Sequence, residues 1–130
     1  MEKKILVVDD DFYNRYLMSK ILIDMGYSVY KADDGISALK ILDSEKFNVL
    51  ITDIKMPNMD GIELFNRVKE LYPQMHVVFL TGSAYINLDS RGLKKDTFYY
   101  FEKPVDFKLL KCTLEHLLDE NKEFKNEKQI

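Results

Sequence analysis

Apolar residues follow two alternating rhythms along the chain: short unbroken runs, and longer stretches that repeat every three to four positions. The runs are Ile5 to Val8, Val49 to Ile51, Val77 to Leu80 and Phe98 to Phe101. A run that is apolar at every position fits a strand covered on both faces. Ser28 to Ala32 alternates instead, as a partly exposed edge strand does. Helical patterns lie between these runs. Tyr13, Leu17 and Ile21, with Met18, Leu22 and Met25, predict one broad apolar face on a first helix that stops at Gly26. Asp34 can cap a second helix carrying Ile36, Ala38, Leu39, Ile41 and Leu42. Asp60 and Gly61 open a third, which buries some of Ile62, Leu64, Phe65, Val68 and Leu71 and ends before Pro73. Ala84 to Asp96 predicts a fourth, short or irregular, because Gly92 interrupts a poor periodicity. Asp106 starts a last helix with Leu109, Leu110, Leu114, Leu117 and Leu118 as its buried stripe.

Strands that alternate with helices imply parallel βαβ units with right-handed crossovers. The predicted fold is an α/β three-layer sandwich: a five-stranded parallel sheet in the order 2-1-3-4-5 with five flanking helices, the flavodoxin-like arrangement. That order sets the carboxyl ends of the first and third strands side by side. Residues 1–120 are expected to form this single domain. From Asp119 the chain turns polar and charged, so residues 121–130 read as a polar tail or linker stub.

Composition narrows the function classes. At 130 residues the chain suits one core, and a net charge of -3 with scattered lysines argues against direct nucleic-acid binding. No apolar run is long enough to span a membrane, and the first residues pass straight into a strand, so neither membrane insertion nor export is expected. A single cysteine, Cys112, cannot form an internal disulfide; it is expected to be a small packing residue in a cytoplasmic, reducing setting. His76 and His116 show no metal-ligand spacing.

The candidate chemistry lies at the strand ends. Asp9 and Asp10 follow the first strand and Asp53 ends the third, so the predicted strand order clusters three carboxylates. Close carboxylates raise one another's pKa unless a cation neutralises them. Mg2+ suits a hard oxygen site of this kind, with Mn2+ as the alternative. Thr81 after the fourth strand offers a hydroxyl, and Lys103 after the fifth offers an ammonium, groups that a phosphoryl group needs. Asp11 is expected to cap the first helix. Asp60 and Gly61 shape the turn into the third helix, and Pro57 stiffens the loop before it.

In this order and spacing, the motifs ILVVDDD at residues 5 to 11, LITDIKMPNMDG at 50 to 61, FLTGS at 79 to 83 and YYFEKP at 99 to 104 resemble a response-regulator receiver domain of two-component signalling. The resemblance covers Lys3 to about Leu118. It implies that Asp53 accepts a phosphoryl group from the phosphohistidine of a sensor histidine kinase or phosphotransfer protein. It also implies that Asp10 ligates Mg2+ directly and Asp9 largely through water, while Lys55 contributes its backbone carbonyl. Thr81 would be the hydroxyl that moves onto the phosphoryl group, Lys103 the cation that pairs with it, and Tyr100 the aromatic residue that rotates inward. The Lys103 to Pro104 bond is expected to be cis. Receivers signal through the fourth helix, fifth strand and last helix to a downstream partner or output domain.

The chain departs from the family pattern on that signalling face. Leu93 to Phe98 replaces the usual small-residue turn, and Tyr99 and Tyr100 suggest an aromatic patch for a partner or for a homodimer. Lys55 and Ser83 occupy variable positions that tune phosphoryl lifetime in the family. A haloacid-dehalogenase-like phosphatase would use Asp9 as nucleophile, but Tyr13 does not fit its first motif and the chain is short for its later ones. A flavin carrier would need a hydroxyl-rich loop where Asp9, Asp10 and Asp11 stand. No output domain lies within the chain, so it is either a free-standing receiver or one cut from a longer regulator or hybrid kinase.

Overall fold

The computed structural model describes residues 2–82, 93 and 97–118. Its strands are β1 (Lys4–Val8), β2 (Ser28–Ala32), β3 (Val49–Asp53), β4 (His76–Thr81) and β5 (Tyr99–Glu102). They form one sheet in the order β2-β1-β3-β4-β5, and every pairing is parallel. The helices among the described residues are α1 (Phe12–Asp24), α2 (Gly35–Ser44), α3 (Gly61–Leu71) and α4 (Phe107–Leu118). The fourth helical segment expected from the sequence, Ala84 to Asp96, lies outside the described residues apart from Leu93, as do Ser83 and the 121–130 tail. The α4 of the structure is thus the last helix expected from the sequence.

The unbroken apolar runs have a direct physical cause. Along β1 and β3, Leu6, Val8 and Leu50 point into a core shared with Ala38 and Leu42 of α2 and Leu64, Phe65 and Val68 of α3. Ile5, Val7, Val49 and Ile51 point the opposite way, into a core shared with Met18 and Leu22 of α1 and Leu110, Leu114 and Leu117 of α4. Successive side chains face opposite sides of a strand, and helices cover both sides, so the runs stay apolar on both faces up to Val8 and Ile51. β2 lies at the edge, where only Ala32 of its residues is buried.

The helices bury narrower stripes than the sequence suggested. On α1, Met18, Ser19 and Leu22 are buried, whereas Tyr13 and Leu17 are 66% and 36% exposed. Met18 and Leu22 lie one above the other toward the sheet; the Tyr13 and Leu17 row is rotated by about 100° and misses it. The same offset leaves Leu109 exposed beside Leu110 and Ile36 exposed on α2, while Leu71 is exposed as the last residue of α3. Cys112 is exposed rather than packed, because two positions on from Leu110 a helix presents nearly its opposite face.

Aspartate starts each of the first three helices. Asp11 Oδ1 accepts from the Asn14 N–H at 3.0 Å, and Asp34 Oδ1 accepts from the Ser37 N–H at 2.7 Å. Asp60 Oδ1 accepts from the N–H groups of Ile62 and Glu63, while Glu63 closes a capping box. Each cap contributes about 1 kcal/mol.

One glycine is dictated by close approach. A Cβ on Gly61 would overlap the Asp53 carbonyl oxygen and lie 2.9 Å from Ile54 Cα, and the Gly61 N–H donates to the Ile54 carbonyl at 2.7 Å. Gly26, by contrast, adopts φ +102° with open space around it. Gly61→Ala is expected to cost about 1–3 kcal/mol through backbone overlap, and Gly26→Ala about 1 kcal/mol through conformation alone. Urea unfolding of the two variants would rank them, and an unperturbed Gly61→Ala protein would refute the overlap.

Candidate functional site

Because β1 and β3 are neighbours, with Val8 opposite Thr52, Asp9 and Asp10 emerge from the sheet next to Asp53. One oxygen from each of these three carboxylates lies within 4.8 Å of the others. Asp9 and Asp53 are buried, at 3% and 9% exposure, while Asp10 faces solvent. Lys103 follows β5 and reaches past the end of β4: its Nζ donates to Asp53 Oδ2 at 3.0 Å and lies 3.7 Å from Asp9 Oδ2. Thr81 ends β4 and is 2% exposed, and its carbonyl accepts the Lys103 N–H at 2.7 Å. The Lys103–Pro104 bond is cis. The strand ends therefore converge as the sequence pattern predicted.

Electrostatics explains why these groups belong together. Burial pushes the Asp9 carboxyl above its ordinary range; the Asp11 N–H and Lys103 pull it back, and the charges of Asp53 and Asp10 push it up again. Burial also works against the Lys103 charge, but the hydrogen bond and charge of Asp53, together with Asp9, outweigh it and raise the ammonium pKa. Lys103 therefore stays protonated. Three carboxylates against one ammonium leave two uncompensated negative charges, which matches a divalent cation. The donor set is all oxygen, the chemistry that hard cations such as Mg2+ require. Among the described residues, no buried side-chain nitrogen or oxygen lacks a hydrogen-bond partner.

The remaining predicted positions surround this centre. Lys55 and Pro57 are exposed in the loop after β3, and Gly61 is buried at its far end. Tyr100 sits on β5 opposite Phe79 and is half-buried against the α2 and α3 core. Burial and then Glu102 raise its hydroxyl pKa. Alternation places Phe79 and Thr81 on one face of β4, the face that Tyr100 also packs against. Two groups escaped sequence reasoning. The Thr52 hydroxyl, fully buried, donates to the Asp53 carbonyl at 2.9 Å, and Arg15 Nη1 donates to the Asp9 carbonyl at 2.7 Å. The only sequence signal for Arg15 is a lone cation one turn into a helix whose other residues there, Asn14 apart, are aromatic or apolar.

The family model for the response regulator receiver domain matches residues 5–115. The chain belongs to the response regulator receiver domain family. It is 37% identical over 116 residues to the response regulator receiver protein CpdR of Brucella abortus, covering 89% of this chain and 97% of that one. It is also 37% identical over 110 residues to the sensor histidine kinase RcsC of Salmonella typhimurium, covering 85% of this chain but only 12% of that protein. A solved structure of the Thermotoga maritima response regulator TrrA, in complex with Mg2+ and BeF, superposes with a TM-score of 0.78 at 29% identity, covering 89% of this chain and 99% of that one. The protein is thus a receiver domain of two-component phosphorelay signalling, a family in which phosphorylation falls on aspartate. Its acidic pocket is the kind of site at which receivers bind Mg2+. Among the described residues, no helix is long and apolar enough to cross a membrane.

The charge excess is expected to make the receiver's stability respond to a divalent cation. Mg2+ at one hundred times its dissociation constant is expected to add about 2.7 kcal/mol to unfolding. Asp9→Asn removes a carboxylate whose charged form is disfavoured in the fold. It should raise metal-free stability, because burial disfavours the Asp9 charge, and shrink the Mg2+-dependent gain. Chemical denaturation with EDTA and with Mg2+ tests both signs, and a metal-free variant less stable than wild type would contradict the cost of burying that charge.

Proposed function

We propose that Asp53 is the phosphoacceptor and that the divalent cation is Mg2+, held by Asp10 and Asp53, by Asp9 largely through water, and by the Lys55 backbone carbonyl. The observation that carries this reading is the Asp53 carboxylate itself. It sits at the end of β3, paired with Lys103 at 3.0 Å and within 4.8 Å of two further carboxylates. An oxygen of Asp53 attacks the phosphorus of a phosphohistidine on a sensor histidine kinase or phosphotransfer protein. The P–N bond breaks, its electron pair stays on the imidazole, which takes up a proton, and an acyl phosphate forms on Asp53. When bound, Mg2+ neutralises charge on the phosphoryl oxygens. Lys103 holds its proton and stays paired with the charge that remains.

Thr81 then moves its hydroxyl toward the phosphoryl group, and Tyr100, on the same face, rotates inward into the space released. Gly61 lets the loop pass against the Asp53 backbone, Pro57 stiffens that loop, and Pro104 sets the direction of the chain after Lys103. The domain acts as a signalling switch whose only chemistry is its own phosphorylation and dephosphorylation. Its setting is cytoplasmic, where a kinase and a downstream partner can reach it.

The donor must cover the carboxyl edge of the sheet to deliver its phosphoryl group. Among the described residues, an exposed apolar surface lies at the start of α1, two residues after Asp10, where Phe12, Tyr13, Tyr16 and Leu17 face solvent. A cavity of about 210 Å³ beside it is lined by Asn14, Leu17, Lys103 and Phe107, among others. We assign the donor to this face. The output face includes Tyr99, 38% exposed, and Leu109, 55% exposed. It is the surface proposed for a downstream partner or a homodimer.

A small phosphodonor with Mg2+ should label wild type and not Asp53→Asn, read by mass spectrometry of the intact protein and its peptides. Labelling that persists at the same site in the variant would sink the assignment. Thr81→Ala should still be labelled but lose the accompanying Tyr100 signal in NMR. Tyr13→Ala with Tyr16→Ala should keep labelling by the small donor and lower transfer from a phosphorylated histidine protein; equal transfer would remove the α1 face as the docking site. Sedimentation with and without a BeF acyl-phosphate mimic tests the dimer, and a monomer in both states excludes it.

A further inference from the structure

We propose that Arg15 is a positioning residue for the metal site: it holds the peptide between Asp9 and Asp10 so that Asp10 presents its carboxylate to the cation. This rests on the reading of Asp10 as a Mg2+ ligand. Asp10 follows the last residue of β1 by only two positions and is exposed, so burial does not fix its direction. What precedes it is fixed at three points. The Asp9 N–H donates to the Ala32 carbonyl at 3.2 Å. Asp9 Oδ1 accepts the Asp11 N–H at 2.9 Å. The Asp9 carbonyl accepts Arg15 Nη1 at 2.7 Å, a short bond strengthened by the guanidinium charge.

A peptide unit is planar, so anchoring the Asp9 carbonyl fixes the plane that also carries the Asp10 nitrogen and Cα. Arg15 is itself held. Its guanidinium carbon lies 5.5 Å from the Phe12 ring centroid, and Phe12 stacks on Tyr16 with centroids 6.4 Å apart. Arg15 also belongs to the rigid part of α1: its N–H donates to the Asp11 carbonyl at 3.0 Å, and its own carbonyl accepts the Ser19 hydroxyl at 2.7 Å. The exposed aromatic start of α1 therefore bears on the metal site through a single cation.

The sign of a substitution separates positioning from simple charge. If Arg15 were only a nearby positive charge, removing it would make the acidic cluster more negative and tighten Mg2+ binding. If it positions Asp10, removal weakens binding. Partners that orient metal ligands typically cost 10- to 100-fold in metal affinity when lost, so Arg15→Met should weaken Mg2+ binding about tenfold.

The test is a Mg2+ titration by calorimetry on wild type, Arg15→Met, Arg15→Lys and Phe12→Ala. Phe12 is 73% exposed, so its loss leaves the core intact while removing the ring on which the guanidinium rests and the stacking partner of Tyr16. It should weaken binding in the same direction by a smaller factor, and Arg15→Lys should recover part of the loss. Labelling by a small phosphodonor should return to the wild-type rate at saturating Mg2+ in each variant, so that the defect lies in metal affinity and not in the transfer step. Unchanged or tighter Mg2+ binding in Arg15→Met, or in Phe12→Ala should the first variant not fold, overturns the proposal while wild-type binding leaves the metal site standing. A wild-type protein that binds no Mg2+ overturns both.

Discussion

The pairing of Lys103 with Asp53 is the interaction around which the carboxyl edge of the sheet is arranged. At 3.0 Å and an effective dielectric near 20, the gross attraction is about 5 kcal/mol. Desolvating each ion costs several kcal/mol, so the pair adds little to net stability. Its effect is local. It keeps one ammonium charged and in place beside carboxylates that would otherwise repel one another, and it still leaves the two negative charges a divalent cation can match. A fold selected for stability alone would have no reason to gather Asp9, Asp10 and Asp53 here.

The precision of the site comes mostly from backbone ties between neighbouring strand ends. The Lys103 N–H binds the Thr81 carbonyl, the Ile54 N–H binds the Leu80 carbonyl, the Gly61 N–H binds the Ile54 carbonyl, and the Asp9 N–H binds the Ala32 carbonyl. The Thr52 hydroxyl and the Arg15 guanidinium add ties to the carbonyls of Asp53 and Asp9. Asp9, Asp53, Thr81 and Lys103 thus project from main chain that is tied to a neighbouring strand end. A change of charge at Asp53 acts directly on Lys103 and, one strand away, on the backbone of Thr81. Through these contacts a change of charge at Asp53 bears on β4 and β5.

The surface divides along the same lines. The helices need only a narrow stripe each to cover the sheet, so apolar residues next to those stripes are left outside. On α1 the surplus is aromatic and lies against the reactive edge, where Phe12, Tyr13 and Tyr16 offer contact area at small entropic cost. On α4 and β5 it is Leu109 and Tyr99.

The sheet, its order and the convergence of Asp9, Asp10, Asp53, Thr81 and Lys103 were legible in the residues alone. A two-sided parallel strand must be apolar throughout, and the polar residue that ends it must then lie at the sheet's edge. The caps at Asp11, Asp34 and Asp60 were legible for a similar reason, since they are satisfied by N–H groups only two or three residues away. Tertiary structure decided what depends on rotation about a helix axis or on distant backbone. A shift of one position turns a side chain by about 100°, which separated buried Leu110 from exposed Leu109 and took Tyr13, Leu17 and Cys112 out of the core. The approach of Gly61 to the Asp53 carbonyl and the reach of Arg15 to the Asp9 carbonyl depend on where the chain returns in space, and no local pattern of residue types encodes that.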